Sequence, residues 1–271
     1  MRPRLKILCY HSITAEPVGD KWSVPRARFA AQMRRLAEGP AAVVPLIQAV
    51  ARLREGRGHD RMVALTFDDG YLDNLEHAFP VLWELGLPAT LFITVAEVGL
   101  GRGAWGAGVR PRLTWDEIRQ CAQAGVAVGV HGMTHRVLTG LPDMDLREEL
   151  VGAHAVIAQE LGRPPTPAFA YAHGRADTRV RRSARAAGYE CGLGASSPLA
   201  CTPRSDPWYL RRETVYGDTS DWAFAAKVEP RWDRARACYW FPARCALQAL
   251  RRPSASSPPD QARPRRKEQA R

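Results

Sequence analysis

A chain of 271 residues, 45% hydrophobic and 25% charged, fits one large α/β domain or two small ones and has the composition of a globular protein. Its formal net charge is +11, but residues 228–271 carry +7 of it, so the body is nearly neutral and nucleic acid is not an expected partner. No uncharged apolar run reaches the ~18 residues of a membrane span, and the N-terminal "MRPRLKILCYHSI" has no secretory cleavage pattern. The expectation is a cytoplasmic chain with its six cysteines reduced.

In chain order, "LKILCYHSI" reads as a buried strand, and "SVPRARFAAQMRRLAEG" as a helix capped by Ser23 and ended by Gly39. "RMVALTFDDG" is a strand so continuously apolar that both its faces are covered. "LDNLEHAFPVLWELG" is a helix that Pro80 kinks or restarts, and "PATLFITV" a strand. "TWDEIRQCAQAG" opens with a Thr114–Glu117 capping box. There follow the strand "VAVGVHG", the helix "DLREELVGAHAVIAQELG", the strand "TPAFAYAHG", the helix "RVRRSARAAGY" and the strand "CGLGA". "GDTSDW", with Asp218, Asp221 and Trp222, reads as a cap leading into the helix "DWAFAAKV". Such alternation predicts parallel strands in an open sheet or a barrel.

Residues 1–227 form the expected catalytic domain, and 228–271 a basic tail, first helical and then disordered. The aromatic and basic "WDRARACYWFPARCALQAL" within it is a docked helix or a peripheral membrane contact. "GRGAWG", Gly101–Gly106, matches a dinucleotide-loop pattern but opens no helix, so it reads as a flexible loop beside a site.

Chemistry concentrates in two stretches. Asp68 and Asp69 are adjacent at the end of a strand, where like charges oppose each other's ionisation. A strand-to-turn junction explains the pair, and so does a cation that takes one carboxylate and leaves the other for proton transfer. His131 and His135 stand four residues apart, the spacing that brings two imidazoles to one side of a helical turn. Both groups fall at C-terminal strand ends, where α/β folds assemble sites. One carboxylate with two histidines leaves coordination positions open for water and substrate.

"TFDDG" at Thr66–Gly70, followed by "HGMTH" at His131–His135, resembles the polysaccharide deacetylases, the NodB-homology group or carbohydrate esterase family 4, over about residues 7–227. The resemblance implies a distorted (β/α) barrel and metal-dependent removal of acetyl groups from an N-acetylated sugar or polysaccharide. It puts the general base on Asp68 and the metal ligands on Asp69, His131 and His135. The metal is one divalent ion: zinc suits this donor set best, and cobalt, nickel, manganese or iron also serve.

The family's aromatic-Pro-Tyr-Gly stretch falls on "FAYAHG", with Ala172 for proline and His173 for tyrosine. Tyr171 and His173 are the candidate substrate-binding residues, and the His173 backbone N–H is the candidate oxyanion donor. The arginine that orients the base in the family is missing there, and Arg211 or Arg212 is the candidate replacement. The family's usual catalytic acid is a histidine near the end of the domain, on a strand shaped like Leu-x-His. Here no histidine follows His173, but "ILCYH" has that shape, so His11 is the candidate acid if the first and last strands are neighbours. O-acetyl ester hydrolysis and a decayed sugar-binding relative are the alternatives.

Overall fold

The computed structural model describes residues 3–101, 110–229 and Trp232. Its strands are β1 (Leu5–Tyr10), β2 (Ser12–Thr14), β3 (Ser23–Pro25), β4 (Ala42–Val43), β5 (Met62–Phe67), β6 (Ala89–Ile93), β7 (Ala127–Val130), β8 (Ala168–Ala170), β9 (Cys191–Ser196) and β10 (Leu210–Thr214). The helices are α1 (Arg26–Glu38), α2 (Leu46–Arg54), α3 (Phe79–Glu84), α4 (Trp115–Gln123), α5 (Asp143–Arg147), α6 (Ala153–Leu161), α7 (Thr178–Ala186) and α8 (Asp221–Val228).

All pairings in the main sheet are parallel. β1 pairs with β10 on one side and β5 on the other, and β5 leads through β6, β7, β8 and β9 back to β10. Seven strands thus close a NodB-type (β/α) barrel. β4 pairs with the first residues of β5, on the edge that β6 takes further along. The first and last strands are neighbours, as the placement of His11 requires.

Every residue of β1 and of β5 is buried, because alternate side chains enter two different apolar layers. Leu8, Tyr10, Val63, Leu65 and Phe67 join the layer under the helices. Leu5, Ile7, Met62 and Ala64 join a second cluster with Phe92, Ala168, Ala170 and Leu193, which α2 closes with Leu46, Ala49, Val50 and Leu53. The same alternation carries Cys9 on β1 and Thr66 on β5 along the inner face, with His11 and Asp68 just past the strand ends. The register pairs Cys9 with Thr66, and the Asp68 N–H donates to the Tyr10 carbonyl at 3.0 Å.

Several local expectations hold. Thr114 and Glu117 form the reciprocal cap of α4. A π-helical turn, Asn74–Ala78, precedes α3, and Pro80 sits in the first turn of α3, where no hydrogen bond needs its nitrogen. The expected long helix is α5 and α6 joined by a π-helical turn, Glu148–Gly152. Ser220 caps α8 by accepting from the Ala223 N–H at 3.2 Å.

Ser23 does not cap α1. It lies in β3, its hydroxyl is bonded to Asp20 at 2.9 Å, and α1 begins after Pro25 with no side-chain cap. Cys9, Cys121, Cys191 and Cys201 are buried free thiols. No helix among the described residues is long and apolar enough to cross a membrane. Apart from Gly101, the loop read in Gly101–Gly106 lies outside the described residues, as does the tail beyond Trp232.

Gly129 shows how little room the barrel interior has. A Cβ there would stand 2.5 Å from the Phe92 ring and 3.3 Å from the Ala168 carbonyl. Gly129→Ala should therefore lower stability by about 1–3 kcal/mol through overpacking, read as a lower urea midpoint. An unchanged midpoint would contradict this packing.

Candidate active site

The inner-face residues of β1, β5 and β10 meet the loop after β7 in a cleft of about 720 Å³, lined among others by His11, Asp68, Asp69, His131, His135, His173 and Arg212. A larger groove of about 970 Å³ near α5 and α7 holds none of these groups. The Asp68 side chain is 3% exposed and the Asp69 side chain 12%, yet both carboxyls are held ionised by different partners.

Burial alone would raise the Asp68 carboxyl. The Arg212 guanidinium, 2.7 Å from Oδ1, outweighs it together with His131 and His11, and the group is lowered to about 2. Of the two candidates in "WYLRRETV", Arg212 turns inward and Arg211 lies exposed on the other face of β10.

Asp69 is also buried against its charge, and His131, His11 and His135 hold it far below the usual carboxylate range. Its Oδ1 lies 3.3 Å from His131 Nε2 and 3.4 Å from His135 Nε2, yet it is an inaccessible oxygen without a hydrogen bond. Three ligand atoms around a divalent cation at about 2.0–2.2 Å stand roughly 3.3–3.6 Å apart in a tetrahedral arrangement. The two measured edges match, so the site fits a metal. His131 Nδ1 lies 2.6 Å from the Ala170 carbonyl, which can only accept, so Nδ1 carries a proton and Nε2 is the atom turned to Asp69. Burial would lower the His131 imidazole, but Asp68 and Asp69 outweigh it and raise the group. Burial and the neighbouring His131 lower His135 to about 4, so it is neutral and able to ligate at neutral pH.

The two histidines converge by a different route from the helical turn their spacing suggested. They flank a loop in which Gly132 has φ +95° and His135 φ +60°. Glu149, buried in the turn between α5 and α6, accepts from Met133 N–H at 2.7 Å, Thr134 N–H at 3.1 Å and the Thr134 hydroxyl. A Cβ on residue 132 would meet the same carboxylate at 2.6 Å. Sequence reading missed Glu149, because a glutamate in an amphipathic helix looks like solvent-facing polarity. Asp69, His135 and His173 are the non-glycine residues with positive φ among the described residues, and all three line this cleft. Strain gathered at one site is a mark of function.

His173 is exposed at the mouth, its ring centre 4.8 Å from that of His135. His11 lines the same cleft. Its Nδ1 is buried without a partner, and Trp22 covers its ring at 4.6 Å. Burial lowers its imidazole, against the pull of Asp68 and Asp69. Tyr171 borders the cleft as well. Its ring packs with Phe169 in the layer under the helices, it is fully buried, and its hydroxyl donates to the Trp208 carbonyl at 2.9 Å.

A parallel (β/α) barrel with carboxylates and histidines converging at its C-terminal mouth has the groups a hydrolase uses. Residues 55–192, about half of the chain, match the polysaccharide deacetylase family, and the chain belongs to that family. It is 28% identical over 227 residues to YxkH of Bacillus subtilis (strain 168), named as a polysaccharide deacetylase; the match covers 83% of this chain and 76% of that one. In fold it is similar to the Streptococcus pyogenes deacetylase PplD in complex with acetate (TM-score 0.74, 19% identity, 85% of this chain and 100% of that one). It is also similar to BC0361, a polysaccharide deacetylase from Bacillus cereus (TM-score 0.71, 23% identity, 84% and 70%).

Two outcomes follow from this geometry. Arg212→Met leaves a buried carboxylate uncompensated and should cost about 3–5 kcal/mol of stability, whereas Arg212→Lys, which keeps the charge, should cost less. Because the folded Asp68 is depressed, its ion pair stabilises above the ordinary carboxylate range and is lost as pH falls toward about 2. Arg212→Met should therefore also move the acid limb of the activity profile upward, and an unmoved limb would contradict the pairing. Separately, Glu149→Ala should weaken divalent-metal binding by about 10–100-fold in a calorimetric titration; native affinity would mean that the loop holds its shape without it.

Proposed function

We propose that this chain is a metal-dependent deacetylase that removes N-acetyl groups from an amino-sugar glycan. The observation that carries the reading is Asp69 Oδ1, buried, unpaired and 3.3–3.4 Å from two imidazole nitrogens. Asp69, His131 and His135 would hold the cation, with zinc best suited to the donor set. When bound, it supplies Lewis acidity toward an acetyl carbonyl and a water.

The chain's own groups account for the proton traffic. Asp68, kept anionic by Arg212, accepts the proton of the attacking water. The His173 backbone N–H, at the cleft mouth, is the donor for the oxyanion, a role that survives the change of side chain from the family's tyrosine. His11 protonates the departing nitrogen. An amide needs that proton and an activated ester does not, so an imidazole in this cleft favours N-deacetylation over ester cleavage.

Asp68→Asn should abolish turnover and leave metal binding by Asp69, His131 and His135 intact. His11→Ala should lower kcat on an N-acetylated oligosaccharide by about 10²–10⁴, with a much smaller loss on a nitrophenyl acetate. Equal losses on both substrates would remove His11 from the role of acid.

A further inference from the structure

Behind the proposed catalytic groups lies a side chain that the reaction does not use. Cys9 is on the inner face of β1, 2% exposed, one strand over from Asp68. Its Sγ stands 3.5 Å from Asp68 Oδ2. Arg212 occupies the other oxygen, Oδ1, at 2.7 Å, which leaves Oδ2 with a lone pair toward the thiol. His11 completes the group: a ligand atom from each of Cys9, His11 and Asp68 lies within 4.8 Å of the other two.

We propose that Cys9, His11 and Asp68 form a second metal site, directly beside the Asp69–His131–His135 site, that takes a thiophilic cation and blocks the enzyme. The donors are one thiolate, one imidazole and one carboxylate. With metal–sulfur bonds of about 2.3 Å and metal–oxygen bonds of about 2.0–2.2 Å, neighbouring tetrahedral ligands are roughly 3.4–3.7 Å apart. The Sγ–Oδ2 edge already has that length, and the edges to His11, within 4.8 Å, close as the imidazole turns in. On binding, the thiol proton leaves to solvent and the cation takes its place.

A soft sulfur donor selects zinc, cadmium or cuprous copper over magnesium or manganese. Two cations held this way would sit on adjacent carboxylates, with His131 Nε2 3.8 Å from Asp68 Oδ2 between them. The block follows from what the second cation occupies: Asp68 and His11 give up the lone pairs with which they accept and deliver protons. This last step rests on the proposed function; the binding itself does not.

The test is a cobalt titration of chelator-stripped protein, followed by absorption. The expected result is two equivalents bound, one of them bringing a thiolate-to-cobalt charge-transfer band in the near ultraviolet. The band should vanish in both Cys9→Ser and Cys9→Ala, whose folding is checked by thermal melting, although the other five cysteines remain. Absence of the band from the native protein, or its survival in both variants, would overturn the site.

In parallel, excess zinc or cadmium should inhibit acetate release, and equal manganese should not. Cys9→Ala should raise the half-inhibiting zinc concentration by at least about tenfold. Equal zinc sensitivity of native protein and variant would overturn the inhibitory role. A protein that never releases acetate would refute the proposed function, and the cobalt band would still decide the site.

Discussion

Two adjacent carboxylates are withdrawn from water at the mouth of the barrel, and both must stay ionised. Left alone, burial and mutual repulsion would protonate at least one of them. The fold gives each its own source of positive charge. Asp68 faces inward and receives Arg212 from β10; Asp69, one residue on, turns into the cleft toward His131 and His135. Neither partner is near in sequence. The arrangement exists because the closed barrel brings β10 round to β1, and β1 to β5, so a residue at position 212 meets one at position 68.

The division of labour follows from this asymmetry. A carboxylate paired with a fixed guanidinium keeps its charge and leaves its second oxygen to a weak thiol donor, which suits a group that exchanges protons. A carboxylate facing the Nε2 atoms of two imidazoles, with an oxygen left without a hydrogen bond, has the donor set a divalent cation takes. Asp69 and His135 adopt left-handed backbone to reach their places, and Glu149 holds the loop that carries His135 near His131. Such strain costs on the order of 1–3 kcal/mol per residue, and the buried glutamate with its three donors is one compensation.

Much of this was legible in the sequence. The near-continuous apolar run before Asp68 marks a strand covered on both faces, and the alternation of strands and helices marks the barrel. "TFDDG" and "HGMTH" stand out because carboxylates and imidazoles at strand ends are costly unless used. β10 was not legible: "LRRET" reads as a solvated charged segment, and becomes a buried strand only because Arg212 meets Asp68 and Glu213 meets Lys227. The helix α2 was passed over as well, since its role is to close the bottom of a barrel that must exist first. Tyr171 was chosen by family position; that its ring packs with Phe169 while it borders the cleft is set by strand parity, since Ala170 and Tyr171 face opposite layers. Glu149 lies beyond sequence reasoning of this kind, since its three donors come from a loop 15–16 residues away.

The account turns on one claim, that this cleft uses a divalent cation to strip acetyl groups from an amino-sugar glycan. The direct measurement is acetate release from N-acetylglucosamine oligomers by protein stripped with a chelator and then given back one metal equivalent. The account predicts no acetate from the stripped protein and release restored in proportion to zinc or cobalt up to one equivalent. Acetate release that is unaffected by stripping, or none at any metal on any acetylated oligosaccharide, would contradict it.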